Sequence, residues 1–149
     1  MGTIKNHFGQ GFPSGQMYTI LKNLDNTALD AEITVGTEAQ DTINVEVQLK
    51  DWNGDNLATY GMVDIYISTN AAGYNIDGKS NIDSELDIGT NGKILVLDAK
   101  KYAKVLSSSA GKFDIDIVEA GESYTIYLVV VLPTGAIKVS GAITFANAG

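Results

Sequence analysis

The chain has 149 residues and no cysteine, and ten lysines without any arginine stand against 18 acidic residues, for a formal net charge of −8. The lack of cysteine excludes disulfides, zinc–thiolate centres and iron–sulfur clusters. The acidic balance and the missing guanidinium groups make nucleic acid an unfavourable partner. The longest apolar run, 126–132, is far shorter than the roughly 20 residues of a membrane-spanning helix, so no membrane partner is expected.

Residues 1–30 are predicted to form an N-terminal extension, or arm. Glycine and proline recur through its first half, so no regular element is expected there. The extension nevertheless carries the apolar anchors Phe8, Phe12, Met17 and Tyr18, which a disordered linker usually lacks. Two interpretations remain open. The extension packs on its own domain, or it docks on another subunit and buries these anchors there.

From residue 31 onward, apolar and polar residues alternate with a period of two, which predicts half-buried β-strands. The clearest strands are expected at 43–49, 63–67, 113–117 and 137–145, with weaker ones at 32–35, 82–88 and 93–97. Residues 100–106 fit either a strand or a short helical turn. Glycine-containing pairs between these runs predict tight turns, since glycine tolerates positive φ. The pattern predicts one all-β domain over residues 31–149.

The segment 124–132 is apolar at successive positions and is predicted to be a central strand covered on both faces. Short connections join it to 113–118 and to 136–145, which predicts an antiparallel meander of these three strands. Because the middle strand needs cover on its second face, a second sheet made of the earlier strands is expected to pack against it. The sequence therefore predicts an antiparallel β-sandwich.

Two acidic stretches match cation-binding loops only in part. Asp51, Asn53 and Asp55 place oxygen atoms at the first, third and fifth positions of a calcium loop, but the glycine and glutamate that complete such a loop are missing. The alternative is a tight turn built on the Asn-Gly pair. The stretch from Asp77 to Asp87 is either a cation-binding loop or a solvated one. The turn and the solvated loop are favoured, so neither a metal nor another cofactor is predicted.

The sequence contains no catalytic constellation, and the protein is predicted not to be an enzyme. The only histidine, His7, lies in the extension, where a general base would lack rigid positioning. The serines at 107–109 have no neighbouring histidine. Trp52 lies at a predicted turn, where it either stacks on a partner or folds back over the core. Burial is the expected outcome for so large a side chain. Trp52 and the four anchors of the extension are the candidate partner-binding residues.

Several segments resemble bacterial Ig-like domains. Residues 41–58, with Lys-Asp-Trp-Asn-Gly between two predicted strands, are similar to the strand–turn–strand opening of such domains. Residues 110–117 are similar to their later Gly-Lys-strand segment. Together with the order of the following strands, the stretch 41–146 resembles an Ig-like domain that recurs in structural proteins of tailed bacteriophages. The resemblance implies an Ig-like antiparallel β-sandwich with an extended N-terminal arm.

The resemblance also implies a non-enzymatic virion protein. We expect a capsid decoration, or cement, protein that binds the major capsid protein on the outer head surface, stabilises the particle and is assembled in the host cytoplasm. The acidic charge favours the outer surface as well, because packaged DNA would repel an acidic lining. Self-association, for example as a trimer, stays open. The alternative is an adhesion module of a tail or fibre that binds host-surface glycan, with Trp52 as a stacking face.

Overall fold

The computed structural model describes residues 4–5, 11–12, 23–76 and 82–146. A short helical turn covers residues 23–25, and all other regular structure in these ranges is β. The strands are β1 (Ile4–Lys5), β2 (Gly11–Phe12), β3 (Asp30–Val35), β4 (Thr42–Lys50), β5 (Met62–Ser68), β6 (Asp87–Ile88), β7 (Lys93–Asp98), β8 (Tyr102–Leu106), β9 (Lys112–Val118), β10 (Tyr124–Val131), β11 (Ile137–Val139) and β12 (Ile143–Phe145).

Two antiparallel sheets form a sandwich around one hydrophobic core. The smaller sheet has the strand order β3-β4-β9-β6, and the larger sheet has the order β11-β10-β5-β8-β7, with β12 also paired to β10. The strands β1 and β2 form a separate two-stranded pair. The all-β antiparallel sandwich predicted from the sequence is thus confirmed.

The period-two pattern decides which side chains enter the core. On β4, Ile43, Val45, Val47 and Leu49 are buried, while the intervening polar residues are only half-buried. The same alternation buries every second residue of β5 and β8 from the opposite sheet. Branched aliphatic side chains suit this environment because they pack well on a pleated surface.

The strand order is that of an Ig-like domain. The order β3-β4-β9-β6 corresponds to strands A-B-E-D, and β11-β10-β5 corresponds to G-F-C. The strands β8 and β7 widen the second sheet beyond its C strand, at the positions that variable-type domains fill with C′ and C″. Here, however, β7 and β8 follow β6 in the chain, so the two additional strands are inserted between D and E.

Most predicted strands are confirmed, and residues 100–106 contain the strand β8. The weak strand predicted at 82–88 is reduced to the two residues of β6. The expectation that the first half of the extension has no regular element is wrong, because Ile4 pairs with Phe12 and Lys5 with Gly11. Because glycines surround this short strand pair, the amino-acid composition did not predict it.

The predicted meander is wrong in its first connection. The strand β9 pairs with β4 and β6 in the smaller sheet, whereas β10 lies in the larger sheet. Residues 119–123 therefore cross from one sheet to the other. A connection of this length also spans the roughly 10 Å between facing sheets. The short connection requires that β9 and β10 lie close together, but it does not determine whether the two strands are hydrogen-bonded to each other.

At Val129, the outward face of β10 is covered by a loop and not by a second sheet. Val129 is fully buried there, and a Cβ atom at Gly73 would lie 3.1 Å from its Cγ2 atom and 2.9 Å from that of Val139. Gly73 also has a φ of +73°, which favours glycine. The Tyr66 hydroxyl donates a hydrogen bond to the Gly73 carbonyl and holds the loop in place. The inward face of β10 does pack against the other sheet, as predicted.

The predicted strand 137–145 is interrupted by a β-bulge. Its two halves, β11 and β12, both pair with β10, and the last strand has one residue more than the facing part of β10. Ser140 occupies the interruption. Its hydroxyl accepts a hydrogen bond from the Leu128 N–H, and its own N–H donates to the Leu128 carbonyl.

Asp114 on β9 is a buried carboxylate that fixes the turn after β6. It accepts hydrogen bonds from the backbone N–H groups of Thr90 and Asn91 at 2.8 and 2.7 Å, and from both the Asn44 and Asn91 side chains. A Cβ atom at Gly89 would lie 2.1 Å from Asp114 Oδ2, so the turn requires glycine there. Burial opposes ionisation of Asp114, but the hydrogen bonds from Asn44, Thr90 and Asn91 outweigh it and lower its pKa.

We expect Asp114→Asn to lower the free energy of unfolding by about 3 kcal/mol at neutral pH, because an amide would turn donor hydrogens toward donors that are already buried. A lowered pKa contributes stability above the ordinary aspartate pKa, and that stability is lost as the pH falls through the lowered value. The difference between wild type and variant should therefore shrink in acid. Urea unfolding at several pH values measures it. Asp116 accepts one side-chain hydrogen bond, from Asn44, which the amide oxygen of an asparagine can keep. Asp116→Asn is therefore the matched control and should cost far less.

Candidate interaction surface

The outer side of the larger sheet carries a continuous set of apolar side chains. Their direction follows from register. The core residues Val63 and Val105 face each other across β5 and β8, so their neighbours Met62 and Leu106, which also pair, point outward. The same alternation turns outward a set of residues that we call the apolar face: Met62, Leu95, Leu106, Val131 and Ile137.

The apolar face is open to solvent. Leu95 is 60% exposed and Met62 is 56% exposed, while Leu106 and Val131 are half-buried beside them. Two hollows flank Met62. One is lined by Leu95, Leu106 and Lys104, and the other by Val131, Pro133 and Gly135. Single exposed apolar residues are common on proteins, but a contiguous set of them marks an interaction surface.

The outer side of the smaller sheet is different in character. Its outward side chains include the ion pairs Lys50–Glu32 and Lys112–Glu46, with N–O distances of 3.1 and 2.7 Å. Thr34 is exposed between these pairs, opposite Glu46. The outer side of the smaller sheet is therefore polar, whereas that of the larger sheet combines exposed apolar residues with a few charged ones.

The Asp64 carboxylate lies within the apolar face, where neighbouring groups compensate its charge. The Asp64 carboxylate accepts hydrogen bonds from Lys104 Nζ at 2.7 Å and from the Tyr102 hydroxyl at 2.6 Å. Burial disfavours the charged form of Asp64, but these two hydrogen bonds prevail and lower its pKa. The hydrogen bond to Asp64 raises the pKa of both Tyr102 and Lys104. Lys93 at the edge of the face has no ion-pair partner among residues 23–76 and 82–146.

The residues proposed from the sequence lie elsewhere. Phe8, Met17 and Tyr18 fall outside the described residues, and Phe12 is described only as the last residue of β2. Trp52 does not fold back over the core as expected: it is 51% exposed, and its Nε1–H donates to Asp25 Oδ1 at 2.7 Å. The apolar face was not predicted. Val131 falls within the run 124–132, which predicts a strand covered on both faces, and Met62 lies just outside the predicted strand 63–67.

The two acidic stretches match cation-binding loops only in part, and the sequence favours a turn and a solvated loop over them. Asp51 Oδ1 accepts hydrogen bonds from the N–H groups of Asn53 and Asp55, which makes the loop a turn closed on itself. Of the stretch from Asp77 to Asp87, residues 77–81 lie outside the description. Within residues 23–76 and 82–146, no three acidic or histidine side chains are grouped as metal ligands.

The serines at 107–109 have structural roles where the structure describes their contacts. The Ser107 hydroxyl is buried, accepts a hydrogen bond from the Gly61 N–H and donates to the Ser108 carbonyl. The Ser108 hydroxyl accepts a hydrogen bond from the Ala110 N–H. These contacts tie the loop after β8 to the start of β5.

Neither a protein-family model nor a curated protein matches this chain. In the described part of the chain, no helix has the length and apolar character needed to cross a membrane.

Glu119, directly after β9, is a buried carboxylate with an incomplete set of partners. The side chain is 2% exposed, and its Oε2 atom has no hydrogen-bond partner. Burial raises its pKa, and the nearby carboxylates of Asp83 and Glu122 raise it further, while Lys100 acts in the opposite direction. A raised pKa in a cleft can indicate an acid catalyst. Glu119 lines none of the hollows of the apolar face, and we interpret it as a strained structural group.

We expect Glu119→Gln to raise the free energy of unfolding by about 1 kcal/mol near pH 7, because the variant removes a buried charge that lacks a full set of hydrogen bonds. A raised pKa contributes stability below the ordinary glutamate pKa, and that stability is lost as the pH rises through the folded-state value. The advantage of the variant should thus disappear in acid. Thermal unfolding from pH 4 to pH 8 tests this, with the exposed Glu85→Gln as control. Equal midpoints for Glu119→Gln and wild type at pH 8 would contradict it.

Proposed function

We propose that this protein is a non-enzymatic structural protein of a bacteriophage virion, a decoration protein that binds the major capsid protein on the outer head surface. The exposed apolar face of the larger sheet is the observation that carries the proposal. A flat, rigid sheet face with the opposite side polar suits a protein that lies against another surface. The resemblance of residues 41–146 to Ig-like domains of phage structural proteins supplies the class of partner.

The size of the apolar face supports a partner with many copies. The whole outer side of the five strands β11-β10-β5-β8-β7, taken as about five residues deep although β11 has three, spans about 24 Å by about 17 Å, or at most about 400 Å². The apolar face lies within this area. A standard stable interface buries about 800 Å² on each partner. A single contact through this face is therefore weak. A regular lattice repeats the contact many times, and repeated weak contacts give high overall affinity when copies are linked.

The distribution of charge supports the same orientation. Within the apolar face, Asp64 is compensated by Lys104, and at the edge strand β7 the charges of Lys93 and Asp98 offset each other. The rest of this acidic chain would repel a negatively charged surface. The apolar face is thus the side that approaches another protein at the lowest electrostatic cost, while the acidic remainder faces solvent.

Co-sedimentation with capsids assembled from the major capsid protein of the same genome tests the proposal. We expect the wild-type chain to bind and to raise the temperature at which the capsids fall apart, since a ligand of the intact particle stabilises it. Met62→Glu and Ile137→Glu should each weaken binding at least about tenfold, because each places an unpaired charge in a desolvated contact.

Thr34→Glu, on the polar outer side of the smaller sheet, is the matched control and should bind as wild type does. A chain that lacks residues 1–25 measures the contribution of the N-terminal extension separately. If the wild-type chain shows no binding to the capsids, the proposed function is wrong. If it binds and the Met62 and Ile137 variants bind equally well, the apolar face is not the docking surface.

The exposure of Trp52 favours a second candidate function, glycan binding by a tail- or fibre-associated protein. The residue is about half exposed to solvent, and the hydrogen bond from Nε1 to Asp25 orients the ring. Exposed aromatic rings held in this way can stack on sugar rings. Because Trp52 is the only tryptophan, its fluorescence should change on titration with a bound saccharide, and Trp52→Ala should abolish retention on a glycan array. No retention of the wild-type chain across a broad array would remove this candidate.

A further inference from the structure

The edge strand β7 is the least protected edge of the sandwich among the described strands. Its four central residues, 94–97, are all apolar, and both Leu95 and Leu97 are more than half exposed. Edge strands are normally shielded by charged residues, bulges or short length. In β7 the pairing with β8 is irregular only between Val96 and Asp98, so the bulge leaves the stretch from Lys93 to Val96 regular. The other edges follow that rule: β6 has two residues, and Lys138 on β11 forms an ion pair with Asp30 on β3 at 2.8 Å.

The backbone of β7 offers free hydrogen-bonding groups at this edge. The bonds from Ser107 N to the Gly61 carbonyl and from Ile67 N to the Lys101 carbonyl show that the odd-numbered residues of β8 bind β5. The even-numbered residues of β8 therefore bind β7, where they face Lys93 and Leu95. The N–H and C=O groups of Ile94 and Val96 consequently point away from β8.

These outward groups have no partner within residues 23–76 and 82–146. No hydrogen bond from Ile94 or Val96 to that part of the chain exists beyond the sheet. Just after the strand, the backbone at this edge is no longer free, because the Ala99 carbonyl accepts a hydrogen bond from Leu86 N. The open segment is therefore short and defined: it is centred on Leu95, with one outward-facing backbone residue on each side.

We propose that β7 pairs antiparallel with β7 of a second copy of this chain, about a two-fold axis that passes beside Leu95. In this register Ile94 exchanges both backbone hydrogen bonds with the partner's Val96, and Leu95 lies opposite the partner's Leu95. The charges at the strand ends support a second copy as the occupant. Because β7 begins with Lys93 and ends with Asp98, antiparallel pairing brings each lysine to the end of the strand that carries the partner's aspartate.

The pairing has a consequence for docking, and only this consequence rests on the proposed function. The two-fold axis is perpendicular to the sheet, so the apolar faces of both copies lie on the same side of one continuous sheet. The outer sides of the two sheets together span at most about 800 Å², which is comparable with the area that a standard stable interface buries on each partner. The dimer thus supplies the area that one copy lacks.

The absence of cysteine allows a direct test by single-cysteine cross-linking of the full chain. We expect Leu95→Cys to form a covalent dimer under mild oxidation, because residues facing each other in a non-hydrogen-bonded pair have Cα atoms about 4.5 Å apart. Leu97→Cys is the matched control. It is similarly exposed, at 53% against 60%, but its two copies would lie about 14 Å apart along the strands.

A charge exchange gives a second test that needs no cysteine. Lys93→Asp alone should weaken the dimer about tenfold in sedimentation equilibrium, since it places like charges at both ends of the pairing. Adding Asp98→Lys should restore the wild-type value. Circular dichroism of each variant confirms that the sandwich has folded.

A wild-type chain that sediments as a monomer of 15.8 kDa at high protein concentration, or equal cross-linking of the Leu95 and Leu97 variants, would overturn the proposal. The outcome is independent of capsid binding. A dimer that does not bind capsids contradicts only the proposed function, and a monomer that binds them contradicts only the pairing of β7.

Discussion

The packing of the two inner sheet faces against each other is the constraint on which the rest of the structure depends. Side chains alternate along a strand, so placing Val63 and Val105 in the core turns Met62 and Leu106 outward. A shift of one residue would exchange the two faces of a strand. The apolar face is therefore a direct result of the core. Strands that are apolar at consecutive positions supply the core on one side and an exposed surface on the other.

The polar groups of the two sheets are arranged to suit these different outer sides. On the smaller sheet, carboxylates are numerous and are held by lysines or, at Asp114, by backbone N–H groups. On the larger sheet, Asp64 is compensated within the sheet by Lys104 and Tyr102, and Asp98 lies at the end of the edge strand β7. Because the carboxylate of Asp64 is compensated within the sheet, it adds no net negative charge that would repel a partner at that side. Charge at the edge of an interface chiefly affects the orientation and the rate of association.

Much of the fold could be predicted from local patterns, and the rest depends on contacts that no local pattern contains. The alternation at 43–49 predicts β4 because burial on one side has the period of a strand. Spacing did not reveal that β9 and β10 lie in different sheets, since a five-residue connection serves both arrangements. The burial of Asp114 depends on a turn more than twenty residues earlier in the chain. Without that contact, a polar residue in an alternating strand, such as Asp114, is predicted to be exposed.

The apolar face was hidden for a related reason. A run such as that of β10 is interpreted as a strand covered on both sides, and Val129 does obtain such cover from the loop at Gly73. Within the described part of the chain, Val131, on the same strand, has no such cover on its outward side, and neither do the outward residues of β7. Local sequence cannot distinguish the two cases, because the cover comes from a loop about sixty residues away.

Leu95 belongs both to the apolar face and to the open edge of β7, yet the two surfaces use different groups. Pairing along the edge uses backbone N–H and C=O groups that lie in the plane of the sheet. Docking through the face uses side chains that stand perpendicular to that plane. A second copy bound at the edge therefore leaves the face open and extends it. The same geometry explains why both surfaces can be apolar at one corner of the domain without competing. In the proposed dimer, the two faces together would approach the size of a stable contact.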